Sequence, residues 1–184
     1  MNKKILRKKT LSERKKLSLS DVTIKSDLIV DSIVQTSFFQ DARSIACYYA
    51  YKNEVMLNSL LNYTDKAILF PRVVKGNREL DFYVVKSVND FEKGIFGLME
   101  PKISLPKMLI SDINLFLTPG VAFSMIGERI GYGGGYYDTT LQQRNNESTT
   151  LGICFDIQII PSGFAESWDQ KVNGLVTESG LVLT

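Results

Sequence analysis

Apolar residues in this sequence recur with helical spacing in some stretches and form continuous runs in others. Over residues 20–39 apolar pairs lie four positions apart, as in Ile29 and Ile33 or Val34 and Phe38. This spacing places an apolar stripe along a helix, and Ser20 is its expected N-cap. Further helices are predicted at residues 2–16, where the apolar face is sparse, and at 55–63 and 136–144.

The continuous apolar runs are rich in β-branched and aromatic residues, which is typical of strands buried on both faces. Pro71 is expected to end the second run, because proline cannot donate a backbone hydrogen bond. Glycines and prolines between residues 89 and 107 predict loops there. The predicted strands are residues 44–51, 66–70, 80–85, 113–117 and 151–155, with short closing strands near 174–177 and 181–183.

Strands and helices alternate along the chain, so we predict one α/β domain over residues 1–184 with a largely parallel or mixed sheet. Ligands of such sheets bind beyond the carboxyl ends of the strands. Several polar or glycine-containing interruptions follow predicted strands and should meet at that edge. They are residues 52–54, 71–72, 118–120 and 127–138.

The composition argues against several kinds of active site. The 184 residues include no histidine, which excludes Ser-His-Asp triads, histidine-dependent zinc sites and histidine bases. Cys47 and Cys154 lie in apolar runs, so we expect them to be buried thiols. No apolar run reaches the roughly 20 residues that span a bilayer, and the N-terminus lacks the apolar core of a signal peptide. We therefore expect a cytoplasmic protein without a membrane role.

The positive charge is concentrated at the N-terminus. Residues 1–16 hold eight basic residues and one acidic residue, whereas the whole chain has a net charge of only +2. A basic segment of this kind binds nucleic acid or a polyphosphate ligand carried by the rest of the domain. The simpler alternative is a solvated, partly frayed terminal helix.

The segment of residues 127–138 carries the clearest sign of function, because four glycines fall between Gly131 and Gly135. Successive backbone N–H groups in such a turn can form a nest for an anion, and a helix beginning near Tyr136 adds its dipole. Arg129 offers a positive charge and Asp138 an oxygen ligand for Mg²⁺. The pattern is neither a Walker A loop nor a dinucleotide fingerprint. It therefore predicts a phosphate site, with a tight strand-to-helix turn as the alternative.

Several segments together resemble the 5-formyltetrahydrofolate cyclo-ligase family over essentially the whole chain. Residues 3–7 match its K-x-x-L-R opening, and the glycine segment matches its long signature. The other matching positions are Tyr49, Glu54, residues 69–73, residues 119–123, Phe155, Gln158, Pro161, Trp168, Asp169 and Val172.

The resemblance implies a three-layer α/β/α fold, as in ribose-phosphate isomerases and CoA transferases. It implies an enzyme that uses ATP and Mg²⁺ to convert 5-formyltetrahydrofolate to 5,10-methenyltetrahydrofolate, with release of ADP and phosphate. The formyl oxygen is phosphorylated first, and a neighbouring nitrogen then closes the ring. The small-molecule partners are ATP and the folate, with no nucleic acid, and we expect a monomer.

The resemblance also implies roles for individual residues. Arg129 and Tyr136 are the expected catalytic residues, and Asp138 and Asp169 the expected Mg²⁺ ligands. The expected ATP contacts are Lys3, Lys4, Ile5, Leu6, Arg7, Arg129, Ile130, Gly131, Tyr132, Gly133, Gly134, Gly135, Tyr136 and Tyr137. The expected folate contacts are Tyr49, Glu54, Tyr132, Gly133, Gly134, Gly135 and Tyr136.

Some alternatives stay open at the level of sequence. Tyr49 could serve only core packing, Glu54 could be a solvated turn residue, and Arg72 could contact a phosphate or the glutamate tail of the folate. Ser124 and Trp168 stand where the family usually has aspartate and often has histidine. Ser124 could thus remove a carboxylate near the glycine segment. A nucleic-acid-binding module and a sugar-phosphate or CoA-type enzyme are the rival functions.

Overall fold

An eight-stranded sheet forms the centre of the computed structural model, which describes residues 2–95 and 97–184. The helices are α1 (Lys3–Lys15), α2 (Leu19–Val34), α3 (Ser37–Asp41) and α4 (Tyr136–Leu141), with 3-10 turns at Asn58–Asn62, Val88–Asp90, Ile110–Asp112 and Asp156–Gln158. The strands are β1 (Ser44–Ala46), β2 (Ala67–Val73), β3 (Leu80–Val84), β4 (Phe91–Lys93), β5 (Met99–Pro101), β6 (Lys107–Met108), β7 (Leu115–Pro119), β8 (Ala122–Phe123), β9 (Arg129–Ile130), β10 (Thr149–Ile153), β11 (Gly174–Thr177) and β12 (Gly180–Leu183).

The main sheet is mixed, with strand order β12-β11-β10-β7-β1-β2-β3-β6. Its five central strands, β11, β10, β7, β1 and β2, are parallel, while β12, β3 and β6 pair antiparallel at the two sides. From β1 the chain continues to β2 on one side, and from β7 it continues to β10 on the other. The carboxyl ends of β1 and β7 therefore form a topological switch point, where open α/β sheets bind their ligands.

Alternate strand residues face opposite sides of the sheet, and each side is covered. Ile45 and Leu115 pack with Ile33 of α2 in the larger core cluster. Phe116, the next residue on β7, packs instead with Leu141 of α4. Because period-two alternation supplies both faces with apolar side chains, helices cover both. The predicted three-layer α/β fold is confirmed. Among the described residues, every helix is too short or too polar to cross a bilayer.

The predictions for the second and third helical segments need correction. Helix α2 is capped by Ser18 and not by Ser20, because Ser18 and Asp21 form a reciprocal capping box. The predicted helix at 55–63 is only the 3-10 turn Asn58–Asn62, and the residues before it contact α2 through the Met56 N–H, which donates to Ser26 Oγ (3.0 Å).

The strand predictions also need correction. Strand β1 ends at Ala46, five residues before the predicted end, and β2 continues through Pro71 to Val73. Residues 89–107 were expected to be loops, but they include β4, β5 and the first residue of β6. The early end of β1 matters most, because residues 47–54 then leave the sheet at its carboxyl edge.

Candidate active site

A cleft of about 730 Å³ opens at the switch point. Its walls come from separate parts of the chain: the first half of α1, the segment after β1, strands β2 and β3, the glycine segment, and residues 166–169. The predicted site residues that line it are Lys3, Arg7, Tyr49, Glu54, Arg129, Ile130, Gly131, Tyr132, Gly133, Gly134, Gly135, Tyr136, Tyr137, Asp138 and Asp169.

The glycine segment connects the β8–β9 hairpin to α4 and uses conformations that favour glycine. Gly133 has φ +104°, and Gly135, the N-cap of α4, has φ +76°. At Gly134 an added Cβ would lie 2.8 Å from the ring of Tyr136, so the ring can pack there only against glycine. Residues 131–135 thus form a close-packed turn whose backbone lines the cleft.

Arg7 fixes this turn from α1. Its Nε donates to the Gly131 carbonyl oxygen at 2.8 Å. Its guanidinium carbon would stand 3.6 Å from a Cβ added to Gly133. The basic first half of α1 therefore places a guanidinium directly over the glycine turn.

Two carboxylates in the cleft are each paired with a cation. Arg129 Nη2 lies 2.7 Å from Asp138 Oδ1, and Lys3 Nζ lies 2.5 Å from Asp169 Oδ2. The Gln170 N–H donates to Asp138 Oδ1 at 3.2 Å, which ties α4 to the residue next to Asp169. Burial lowers the pKa of Lys3, but hydrogen bonds to Asp169 and to nearby Glu166 outweigh it and raise the pKa overall. Among the described residues, no three His, Cys, Asp or Glu side chains cluster as a metal site.

The opposite wall carries Glu54, which is only 5% exposed. It follows two residues in the left-handed region, Lys52 at φ +49° and Asn53 at φ +59°. Its Oε2 accepts the Tyr51 N–H at 3.0 Å. Burial raises the pKa of the Glu54 carboxyl to about 7, although a facing guanidinium opposes the shift. The alternative of a solvated turn residue is therefore wrong.

Tyr49 lies beside Glu54 along the same segment and has two roles. Its ring packs edge-on against Phe91 with centroids 5.0 Å apart, and it also lines the cleft. Core packing and a ligand contact are thus compatible for this residue. Tyr132 of the glycine segment meets the same stretch of chain at Tyr51, with the two ring centroids 5.9 Å apart.

Some expected residues lie elsewhere. Lys4, Ile5 and Leu6 are outside the cleft wall. Ile5 is 66% exposed, and Leu6 packs against a cluster containing Val121, Ala122, Ile130 and Phe164. Helical geometry turns these three side chains away from the face that carries Lys3 and Arg7.

Arg72 and Ser124 both make contacts within the protein. Arg72 Nη1 donates to Glu92 Oε1 (2.6 Å) and to the Pro101 carbonyl oxygen (2.7 Å). Ser124 is buried and accepts the Glu128 N–H at 3.2 Å. Burial raises the pKa of Glu128, but hydrogen bonds from the Gly163 N–H and the Ser124 hydroxyl outweigh it and lower the pKa overall.

Two residues at the site were not singled out from the sequence. Tyr48 is buried beside the cleft, and its hydroxyl has no hydrogen-bond partner among the described residues. Arg14 is 1% exposed and is the guanidinium that faces Glu54. A signal for Arg14 exists in the sequence, since Lys3, Arg7 and Arg14 are spaced by four and seven residues and share one helix face.

Comparison with known proteins confirms the resemblance seen in the sequence motifs. Residues 1–178 match the family model of the 5-formyltetrahydrofolate cyclo-ligase family. The NMR structure of Aquifex aeolicus 5,10-methenyltetrahydrofolate synthetase superposes with a TM-score of 0.88 at 30% identity, covering 100% of this chain and 93% of that one. A Mycoplasma pneumoniae 5,10-methenyltetrahydrofolate synthetase shares the fold, with a TM-score of 0.78 at 24% identity and coverage of 97% and 99%. The Haemophilus influenzae 5-formyltetrahydrofolate cyclo-ligase is 29% identical over 136 residues, which are 71% of this chain and 73% of that relative.

Proposed function

This chain belongs to the 5-formyltetrahydrofolate cyclo-ligase family. We propose that its cleft binds ATP and 5-formyltetrahydrofolate together and converts them to 5,10-methenyltetrahydrofolate, ADP and phosphate. One observation carries the proposal. A single cleft places the glycine turn and two basic side chains on one side and a buried carboxylate with tyrosines on the other. The first set suits a polyphosphate, and the second suits a ring system with N–H donors.

The nucleotide phosphates bind along the glycine turn. The positive φ angles of Gly133 and Gly135 support a backbone nest, and α4 begins at the next residue. Arg7 and Arg129 are the cations nearest this turn and can compensate charge on the transferring phosphoryl group. Lys3 extends the positive side of the cleft toward Asp169.

Asp138 and Asp169 are the candidate Mg²⁺ ligands, and the donor set fits this ion. Mg²⁺ is commonly held by one or two protein carboxylates together with phosphates and water. The Gln170 N–H bond to Asp138 keeps these two parts of the chain adjacent. When bound there, Mg²⁺ neutralises charge on the phosphate oxygens. Asp138 and Asp169 would exchange their present partners, Arg129 and Lys3, for the metal.

The folate occupies the wall formed by the segment after β1. Glu54 accepts hydrogen bonds from ring N–H groups when it is ionised, and a pKa of about 7 keeps it partly ionised at neutral pH. Tyr49 and Tyr136 line the same space with aromatic surface. Tyr136 also packs on Gly134, and this position supports a role between the nucleotide and the folate.

The chemistry requires positioning more than acid–base catalysis, which agrees with a chain that has no histidine. The formyl oxygen bonds to the γ-phosphorus while the bond from that phosphorus to the leaving ADP oxygen breaks. The neighbouring nitrogen then bonds to the formyl carbon and loses its proton. Phosphate departs with the former formyl oxygen, and the five-membered ring is closed.

The decisive experiment follows the absorbance of methenyltetrahydrofolate formed from 5-formyltetrahydrofolate. The purified chain should produce it only when ATP and Mg²⁺ are both present. Omitting either reagent, or replacing ATP with a non-hydrolysable analogue, should abolish formation. Absence of product under all conditions, with a cooperatively folded protein, would overturn the proposal.

A further inference from the structure

Arg14 lies near the C-terminal end of α1 and is 1% exposed, although neighbours such as Lys15 and Lys16 are exposed. It does not line the cleft. A fully buried guanidinium is costly unless its N–H groups and its charge find partners. Its partners therefore indicate what its burial achieves.

The partners of Arg14 come from three segments that converge behind the cleft. Nε donates to the Lys52 carbonyl oxygen at 3.1 Å, and Nη1 donates to the Gly120 carbonyl oxygen at 3.2 Å. Nη2 donates to the Tyr132 hydroxyl oxygen. These contacts belong to the turn after β1, the end of β7 and the glycine segment.

The same guanidinium also faces the Glu54 carboxylate, with Nη1 3.8 Å from Oε1. The Tyr132 hydroxyl also interacts with the Glu54 carboxylate and helps to lower its pKa. Arg14, Tyr132 and Glu54 thus form a closed triangle of contacts. The Tyr132 hydroxyl accepts from Arg14 and can donate its own proton to Glu54.

Helix α1 supports the turn before Glu54 from a second direction. Asn53 Nδ2 donates to the Leu17 carbonyl oxygen at 3.0 Å. Two successive non-glycine residues with positive φ cost free energy and persist only where surrounding contacts require them. Arg14 on α1 and the Leu17 carbonyl just after α1 supply those contacts to Lys52 and Asn53, so the turn that precedes Glu54 is held from this part of the chain.

We infer that Arg14 is a positioning residue that holds Glu54 and Tyr132 together and so fixes the folate wall of the cleft relative to the glycine turn. The inference rests on the proposed function only in assigning 5-formyltetrahydrofolate to that wall. Removing Arg14 should weaken folate binding more than ATP binding, because Arg7 contacts the glycine turn and Lys3 contacts Asp169 without involving Arg14.

Electrostatics provide a readout that needs no substrate. The groups that face Glu54 are Arg14 from α1, Tyr132 from the glycine segment, Tyr48 after β1 and Tyr137 on α4. Arg14 is the one cation in this set, and it lowers the pKa that burial raises. Loss of its charge should therefore raise the midpoint of the Glu54 titration further.

The test titrates the Glu54 side-chain carboxyl by ¹³C NMR in the substrate-free protein, with Glu54→Gln for assignment. Arg14→Met should raise the midpoint by about one unit or more, while Arg14→Lys, which keeps the charge, should raise it less. Lys15→Met, on the same helix but exposed, is the matched control and should leave it unchanged. Steady-state kinetics should show a KM for 5-formyltetrahydrofolate raised about tenfold in Arg14→Met, with the KM for ATP within about twofold.

If Arg14→Met does not fold, Tyr132→Phe decides the question, because it removes the contacts of the Tyr132 hydroxyl with Arg14 and with Glu54 at a partly exposed residue. It should raise both the Glu54 midpoint and the KM for the folate. A merely structural Arg14 would lower thermal stability while the Glu54 midpoint and both KM values stay those of Lys15→Met, and that result would overturn the inference. Failure of the proposed function is distinguishable, because wild-type protein would then lack turnover while the NMR midpoints still report the contact.

Discussion

Glu54 combines near-complete burial with a position in the cleft wall, so its ionisation is linked to the stability of the fold. Burial raises the pKa of its carboxyl from 4.5 to about 7. In the unfolded chain the group releases its proton near pH 4.5, whereas in the folded protein it keeps the proton until about pH 7. The stabilising contribution of the protonated form is thus complete below pH 4.5 and is lost as the pH rises through 7.

Replacing Glu54 with glutamine should remove this pH dependence. Relative to Glu54→Gln, the wild-type free energy of unfolding should fall by on the order of 3 kcal/mol between pH 4.5 and pH 8. Urea denaturation across that range measures the difference. Glu147→Gln, at an exposed position, is the control. If the difference in the free energy of unfolding between wild type and Glu54→Gln does not change with pH, the assignment of Glu54 as a buried, titrating carboxyl is wrong.

The sequence identified Glu54 through its family motif but did not predict its burial. The buried carboxylate faces Arg14, forty residues earlier, and follows a left-handed turn at Lys52 and Asn53 that neither residue type requires. The glycine turn was more predictable, because the positive φ angles at Gly133 and Gly135 are a property of glycine itself. Local conformation could therefore be inferred from local sequence, and the long-range ion pair could not.

Among the elements, β2 shows how context decides a strand end. Pro71 was expected to stop the strand, yet β2 runs to Val73. The Val85 N–H donates to the Ile68 carbonyl, so Pro71 and Phe82 form a pair without ladder hydrogen bonds. The missing N–H of Pro71 then faces the side where β1 has already ended at Ala46. Proline is tolerated at such an edge position, which the sequence does not reveal before the register is known.

Helix α1 carries basic residues that the sequence presents as one group, but the structure divides them between two faces. Its basic residues divide between the cleft, where Lys3 and Arg7 lie, and solvent, where Lys8 and Lys9 lie. Deleting residues 1–8 would also remove Leu6 from its apolar cluster and so mix binding with stability. Paired substitutions on the two faces separate these effects.

The double variant Lys3→Met and Arg7→Met should raise the KM for ATP by about a hundredfold or more, since two charge-assisted contacts are lost and each is worth about 1.5–3 kcal/mol. The KM for 5-formyltetrahydrofolate should change little. Lys8→Met with Lys9→Met removes the same charge from the exposed face and should leave both constants near the wild-type values. Steady-state kinetics and thermal unfolding of both variants make the comparison. If both double variants raise the KM for ATP equally, ATP binding depends on the net charge of α1 and not on the positions of Lys3 and Arg7.

At the scale of the whole molecule, the cleft is an arrangement of charges that is balanced without ligand. Each candidate metal carboxylate already holds a candidate phosphate cation, as in Arg129 with Asp138 and Lys3 with Asp169. These pairs join residues up to 166 positions apart, so only the folded sheet brings them together. Nucleotide alone would draw the cations away and leave two carboxylates facing polyphosphate. Mg²⁺ alone would add charge to a balanced site.

Metal and nucleotide should therefore bind cooperatively, which thermal unfolding can measure. A non-hydrolysable ATP analogue with Mg²⁺, at about 100 times its Kd, should stabilise the fold by about 2.7 kcal/mol, a shift in Tm of about 5–10 °C for a chain of this size. Either reagent alone should give much less than half of that shift. Asp138→Ala should remove the extra stabilisation without unfolding the protein, whereas Asp31→Ala, at an exposed position on α2, should retain it. Two outcomes would show that an exchange of partners at Asp138 does not cause the cooperativity. One is a wild-type Tm shift with both ligands that equals the sum of the two separate shifts. The other is an Asp138→Ala variant whose Tm shift with both ligands exceeds that sum as much as in the wild type.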